Sequence, residues 1–284
     1  MALNFHISHT TSYFYNQEVY ESRNLIKVFP IRDKYQKVIS HSISVSGNPI
    51  VKPGKDIFGN KFGIFTRFNK HNQLIINSTM DVQTTNRNLI RLAATGNQSW
   101  DDVRLLGMDS SFRLFLALEK ISVMQNIWAV VNSYPTGQMT PLEVVLAFNK
   151  YVNQHFFYNP GVTMVDTPLD IVWNMKAGVC QDFSHVLIYM LRSANIPARY
   201  VSGYICPNNN GMRGDGATHA WVEAYLPNFG WLGIDPTNNC VANEKHVRVA
   251  VGRDYKDVAP VVGEFKGSAY QSLKVQVTVH YSPV

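Results

Sequence analysis

Hydrophobic and polar positions alternate in short runs along the first 95 residues. FHISHTTSYFY (5–15), KVISHSISVSG (37–47), KFGIFTRFNK (61–70) and NQLIINSTMDVQT (72–84) are rich in β-branched and aromatic residues. Gly47-Asn48-Pro49, Pro53-Gly54 and Gly59-Asn60 punctuate them, which is the pattern of strands joined by turns. Residues 1–95 are therefore expected to form an N-terminal antiparallel β-sandwich-like domain.

The period then changes. After GNQSWDDVRLLGMDS (96–110), which reads as a connector, SSFRLFLALEKISVMQNIWAVV (110–131) places apolar residues three and four apart. Residues 96–135 are read as connector and helix. TPLEVVLAFNKYVNQHF (140–156) opens with Thr140 as a cap, Pro141 at the first helical position and Glu143 to close a capping box. TPLDIVWNMKAG (167–178) repeats the device with Thr167, Pro168 and Asp170, and Gly178 is the expected stop. A fourth helix begins near Cys180. Val179, Phe183, Leu187 and Leu191, with Val186 and Met190 beside them, form its apolar face, and Pro197 ends it.

Strand patterns return in ARYVSGYIC (198–206), THAWVEAYL (218–226), GWLGIDP (230–236) and LKVQVTVHY (273–281). Strands, then helices, then strands make an α+β fold, with helices packed on an antiparallel sheet over residues 136–284.

Composition narrows the function classes. The chain has 284 residues, 45% hydrophobic and 12% aromatic, which supplies a sizeable core. Its net charge of +6 is scattered without a basic run, so no nucleic-acid partner is expected. The first residues lack a signal-peptide pattern and no long apolar window occurs, so no membrane association is expected and the cytoplasm is the expected compartment. The three cysteines, Cys180, Cys206 and Cys240, match neither a disulfide framework nor zinc-ligand spacing.

Cys180 is the candidate nucleophile. A helix start lowers a thiol pKa through its unpaired N–H groups and dipole, and an imidazolium neighbour does the same. His219 opens a strand straight after the polar loop PNNNGMRGDGA (207–217), and Asp235 ends the next strand, where it can orient an imidazole. In a hairpin they share a face only if the loop has an odd residue count. The turn residues Pro227-Asn228-Phe229-Gly230 suggest a centre near 228 and 229, so a bulge or a diagonal contact is expected. Gln181, Tyr158 and Trp221 are weaker candidates for substrate or oxyanion contact, with Asn159 beside Tyr158; Trp221, two residues past His219, falls on the same strand face, where core or wall packing is the alternative. His185 reads as a packed or hydrogen-bonded core residue. Arg213-Gly214-Asp215 reads as part of an exposed loop.

GVCQDFSH (178–185), PARYVSGY (197–204) and THAWVEAYLPNFGWLGIDPTNN (218–239) resemble the core of the bacterial transglutaminase-like superfamily. DIFGN (56–60) and KHNQLII (70–76) are similar to pieces of that family's N-terminal β region. The resemblance implies a papain-type site with Cys180 as nucleophile, His219 as general base and acid, and Asp235 as the orienting carboxylate. It implies no metal or cofactor, and none of the calcium sites of animal transglutaminases. The implied activity is cysteine-dependent acyl transfer on a peptide or protein amide. Hydrolysis, as a protease or amidase, is the leading expectation, and transfer to an amine acceptor is the alternative. A non-catalytic binding or scaffold protein on the same fold is the alternative of another class.

Overall fold

The computed structural model describes residues 2–85, 98–135, 137–206 and 217–284. Arg213-Gly214-Asp215 lies outside the described residues. Strand β1 (Ala2–Ile26) is long enough to serve two neighbourhoods. It is followed by β2 (Gln36–Val45), β3 (Lys52–Lys55), β4 (Lys61–Arg67) and β5 (His71–Thr85), all antiparallel in the order β2-β5-β1-β4-β3. The first half of β1 pairs with β5 and the last part with β4, with a register shift between Phe14 and Val19. That irregularity, with Glu21 at φ 49°, bends the strand so that one sheet curls into a half-barrel. The sandwich-like antiparallel domain expected from the sequence takes the form of this one curled sheet. The bend in β1 lets the two ends of the sheet face each other as the two layers of a sandwich would.

The helical segment opens with α1 (Trp100–Leu106), a 3-10 turn at Ser110–Phe112, α2 (Arg113–Leu116) and α3 (Met124–Asn132). The continuous helix expected over 110–131 is broken from Ala117, which is extended at ψ 129°. Side chains from a later helix capture the freed carbonyls: Arg192 donates to Ala117 O at 3.0 Å and Tyr189 to Glu119 O at 3.1 Å. Leu118 and Ile121 still pack on the core, so the apolar spacing is satisfied without helical hydrogen bonds.

Next come α4 (Pro141–His155), β6 (Phe157–Tyr158), α5 (Leu169–Met175), β7 (Ala177–Gly178) and α6 (Cys180–Ser193). The Thr140–Glu143 capping box opens α4 as the sequence predicts. At α5 the device is not repeated. Pro168 occupies the N-cap, while Thr167 accepts from the Met164 N–H and Asp170 accepts from the Ser122 hydroxyl. The helix stops at Lys176, in the left-handed region at φ 51°, not at Gly178. Gly178 serves a different need, because a Cβ there would collide with the Asp182 carboxylate.

Strands β8 (Ala198–Ile205), β9 (His219–Leu226), β10 (Gly230–Asp235), β11 (Cys240–Val241) and β12 (His246–Gly252) form an antiparallel sheet in the order β11-β10-β9-β8-β12. One face packs on α6 through Ala198, Tyr200, Val222, Ala224, Leu232 and Ile234. A short α7 (Tyr255–Val258) leads to β13 (Val261–Lys266) and β14 (Gln271–Pro283). Both of these strands, grouped by sequence with residues 136–284, pair with β1 in the N-terminal sheet instead. Phe5, Ile7, Met80 and Val82 of that sheet share one core with α6 and the second sheet.

The two sheets are also joined by polar contacts at the outer edge of β12. Asn60 receives the Val251 N–H at 2.8 Å and donates to Val251 O at 2.7 Å. Gln36 does the same at Arg248, at 2.8 and 2.7 Å. Each amide takes the place of a neighbouring strand and leaves no exposed edge there. Asn60 is held in turn by Asp56, which accepts from its N–H and its side-chain amide. This explains the DIFGN stretch as a structural clasp. Replacing Asn60 by Ala strands two buried backbone groups, and urea denaturation is expected to show a loss of about 1–3 kcal/mol.

Candidate active site

Phe183, Leu187 and Leu191 are fully buried and fix α6 in place. Cys180 occupies its first turn, half-buried. Val179, the N-cap, has no side-chain acceptor, so Asp182 reaches back and takes the Val179 N–H at 2.8 Å. The same carboxylate oxygen accepts from the Thr163 hydroxyl at 2.7 Å, and burial raises the Asp182 pKa. Gln181 donates to Val165 O at 2.8 Å. Asp182 and Gln181 together tie the segment around 163–165 to the helix start, which is the use the structure makes of the Gln181 amide. Tyr158 lies on β6, paired with Gly178, and turns its ring edge to Phe183 at 6.3 Å. Asn159 joins the same pairing through its N–H to Gly178 O.

The β9–β10 hairpin supplies the other two groups. Its register runs from Gly230 opposite Leu226 to Ile234 opposite Val222, which centres the turn on Asn228. Asn228 at φ 61° sits at the centre of the three-residue turn 227–229, and Gly230 at φ 98° follows it at the start of β10. That register puts Asp235 opposite Trp221, so His219 meets Asp235 on the diagonal, without a bulge. His219 Nε2 lies 2.8 Å from Asp235 Oδ2, and both side chains are fully buried.

Asp235 is surrounded by donors. Oδ1 accepts from the N–H groups of Thr237 at 2.9 Å and Asn238 at 3.2 Å. Oδ2 accepts from the Asn238 amide at 2.8 Å and lies 3.3 Å from His246 Nε2. Burial alone would raise the Asp235 pKa, but the His219 charge and the bonds from both imidazoles hold it well below the usual carboxylate range. Burial likewise pulls the His219 pKa down. The Asp235 charge and hydrogen bond, together with the adjoining Cys180 thiol, outweigh it and raise the pKa. His219 Nδ1 is buried without a hydrogen bond, and it is the ring nitrogen that Asp235 leaves free.

Trp221 shares the strand face of His219 and stacks on its ring at 6.0 Å. It is 0% exposed and packs behind the imidazole. His185 accepts the Tyr255 N–H at 3.2 Å, and burial lowers its pKa to about 4, which keeps it a neutral core residue. Cys206 is buried. Cys240 pairs with Asp235 across β10 and β11, and burial followed by the Asp235 charge pushes its thiol up to about 12.

His246 and Asn238 escaped the sequence reading. Asn238 sits in the DPTNN stretch directly after Asp235, where its amide is a recognisable local partner. His246 carries no such signal, because only the pairing of β12 with β8 brings it across the sheet. Side-chain donor atoms of His219, Asp235 and His246 lie within 4.8 Å of one another, the one such group among the described residues. His246 is set to donate to the carboxylate, because its Nδ1 accepts the Asn243 N–H. A cavity of about 760 Å³ lies between β1, β13 and β14 and the outer side of α6, walled by Tyr13, Tyr15, Leu273, Ile188 and Tyr189 and reaching Val165.

Comparison with known proteins gives this arrangement a context. Residues 129–236 match the family model of the transglutaminase-like superfamily, and residues 5–83 match that of the bacterial transglutaminase-like N-terminal region. An uncharacterized protein of Mycobacterium leprae is 29% identical over 279 residues, covering 96% of this chain and 97% of the relative. A protein-glutamine gamma-glutamyltransferase of Pseudomonas aeruginosa is 33% identical over 101 residues, covering 33% of this chain and 15% of the relative. The crystal structure of a candidate cysteine protease from Cytophaga hutchinsonii shares the fold, with TM-score 0.77 and 21% identity over 100% of this chain and 92% of that one. The two matched regions of this chain are thus similar to the transglutaminase-like core and to the N-terminal region that accompanies it in bacterial proteins.

Proposed function

We propose that the protein is a cysteine-dependent acyl-transfer enzyme that cleaves peptide or amide bonds. The buried His219–Asp235 pair beside the Cys180 thiol carries the reading. A raised imidazole pKa keeps His219 protonated near neutral pH, so its ring presents a positive charge and a transferable proton to the adjoining sulfur. The thiolate attacks the carbonyl carbon, a C–S bond forms and the carbonyl electrons move to oxygen. The first-turn N–H groups of α6, which have no intrahelical partner, face the developing oxyanion. His219 gives its proton to the leaving amine, the C–N bond breaks, and a thioester remains. Water then attacks while His219 takes its proton, and the C–S bond breaks to release the acid and the thiolate.

Water needs no binding site of its own, so hydrolysis is the default fate of the thioester. An amine that reaches it first gives transfer instead. The relative whose name describes a gamma-glutamyltransferase supports keeping transfer as the second reading. Exposed Phe157, Met164 and Val165 adjoin the start of α6 and offer an apolar rim to the acyl donor.

Two outcomes test this. Near neutral pH, iodoacetamide should modify Cys180 much faster than buried Cys206 or Cys240, whose thiol is pushed up to about 12; equal rates by mass spectrometry would remove the activated thiol. Cys180→Ala should abolish turnover of a peptide mixture while changing stability by no more than about 1–2 kcal/mol. Running the wild-type digest with and without added amines separates hydrolysis from transfer by product mass, and cleavage retained by the Ala variant would refute the mechanism.

A further inference from the structure

Asp235 carries a second imidazole that the three-residue mechanism does not use. His246 opens β12, its side chain is 1% exposed, and its Nε2 lies 3.3 Å from the same Oδ2 that bonds His219. Its tautomer is set by a backbone group: the Asn243 N–H points at His246 Nδ1 at 3.2 Å, so Nδ1 accepts and the proton sits on Nε2. Burial keeps the ring neutral, with its pKa lowered. The Trp221 ring meets it edge-on at 5.2 Å and closes the remaining side. The charged and titratable groups around it are Asp235 on β10, His219 on β9 and Glu244 in the preceding loop; beyond Asp235 lies Cys240, which feels both Asp235 and Lys245.

We propose that His246 is a positioning residue that acts through Asp235, a neutral imidazole sharing Oδ2 with His219. This rests on the thiol–imidazole reading above. A carboxylate buried beside a single imidazolium attracts it strongly in a medium of low dielectric constant. Such a His holds its proton too tightly to return it to a leaving amine. A second, neutral donor on the same oxygen draws off part of its charge and loosens that hold without adding a competing cation. The carboxylate stays in place meanwhile, because Thr237 and Asn238 grip it from the other sides.

The two ends of the His246 ring can be tested separately. His246→Gln can keep a donor where Nε2 stands. His246→Asn keeps an acceptor for the Asn243 N–H but is too short to reach Asp235. The readout is the rate of Cys180 alkylation by iodoacetamide from about pH 4 to pH 12, a window that brackets a His219 pKa raised to about 10 and needs no known substrate. In the wild type the upper inflection marks loss of the His219 proton. It is expected to move up by about half a pH unit or more in His246→Asn, the scale of one lost hydrogen bond to a charged acceptor, and to stay near the wild-type value in His246→Gln. An unmoved inflection in His246→Asn, an equal shift in both variants, or loss of the cooperative thermal transition in both would overturn the proposal. A wild-type profile with no upper inflection would instead count against the Cys180–His219 pairing itself.

Discussion

The site depends on one buried charge. Asp235 is fully enclosed, and an ionised carboxylate there is tolerable only because five donors surround it: His219, His246, the Asn238 amide and two backbone N–H groups. Those donors come from β9, from the turn after β10 and from β12, so keeping the charge requires the whole sheet to be assembled. The proton held on His219 is the chemical result.

The N-terminal sheet takes part in this through β12. Strand β12 lies at the sheet's edge and carries His246 at its start. Gln36 and Asn60 occupy its open hydrogen-bonding side, and β13 and β14 return from it to β1. The shared core under α6 joins the same parts from within. A helix that presents a thiol and a sheet that presents a charged pair are thus clamped by the region that precedes both.

Much of the local structure was legible. The Thr140 capping box and the apolar face of α6 are short-range signals, and both appear as the sequence predicts. The diagonal His219–Asp235 contact was also open to inference, since residue parity and turn chemistry constrain a hairpin. Signals that depend on distant partners failed. The 110–131 segment has helical spacing, yet Arg192 and Tyr189 claim its carbonyls and break it. Thr167 matched Thr140 in pattern, yet its hydroxyl serves Met164. Trp221 was placed correctly on the His219 face, while its complete burial needed the packing around it.

By itself, the sequence determined which residues begin α6, which strands hold His219 and Asp235, and that these two side chains can share a face. Periodicity and turn residues act over a few positions, so they survive without the fold. Only the tertiary structure decided that His246 joins Asp235, that the last strands return to the first, and that Asn60 and Gln36 close the edge of β12. Each of these is a meeting of segments far apart in the chain, and hydrogen-bond geometry in three dimensions, which no local pattern encodes, selects the partner.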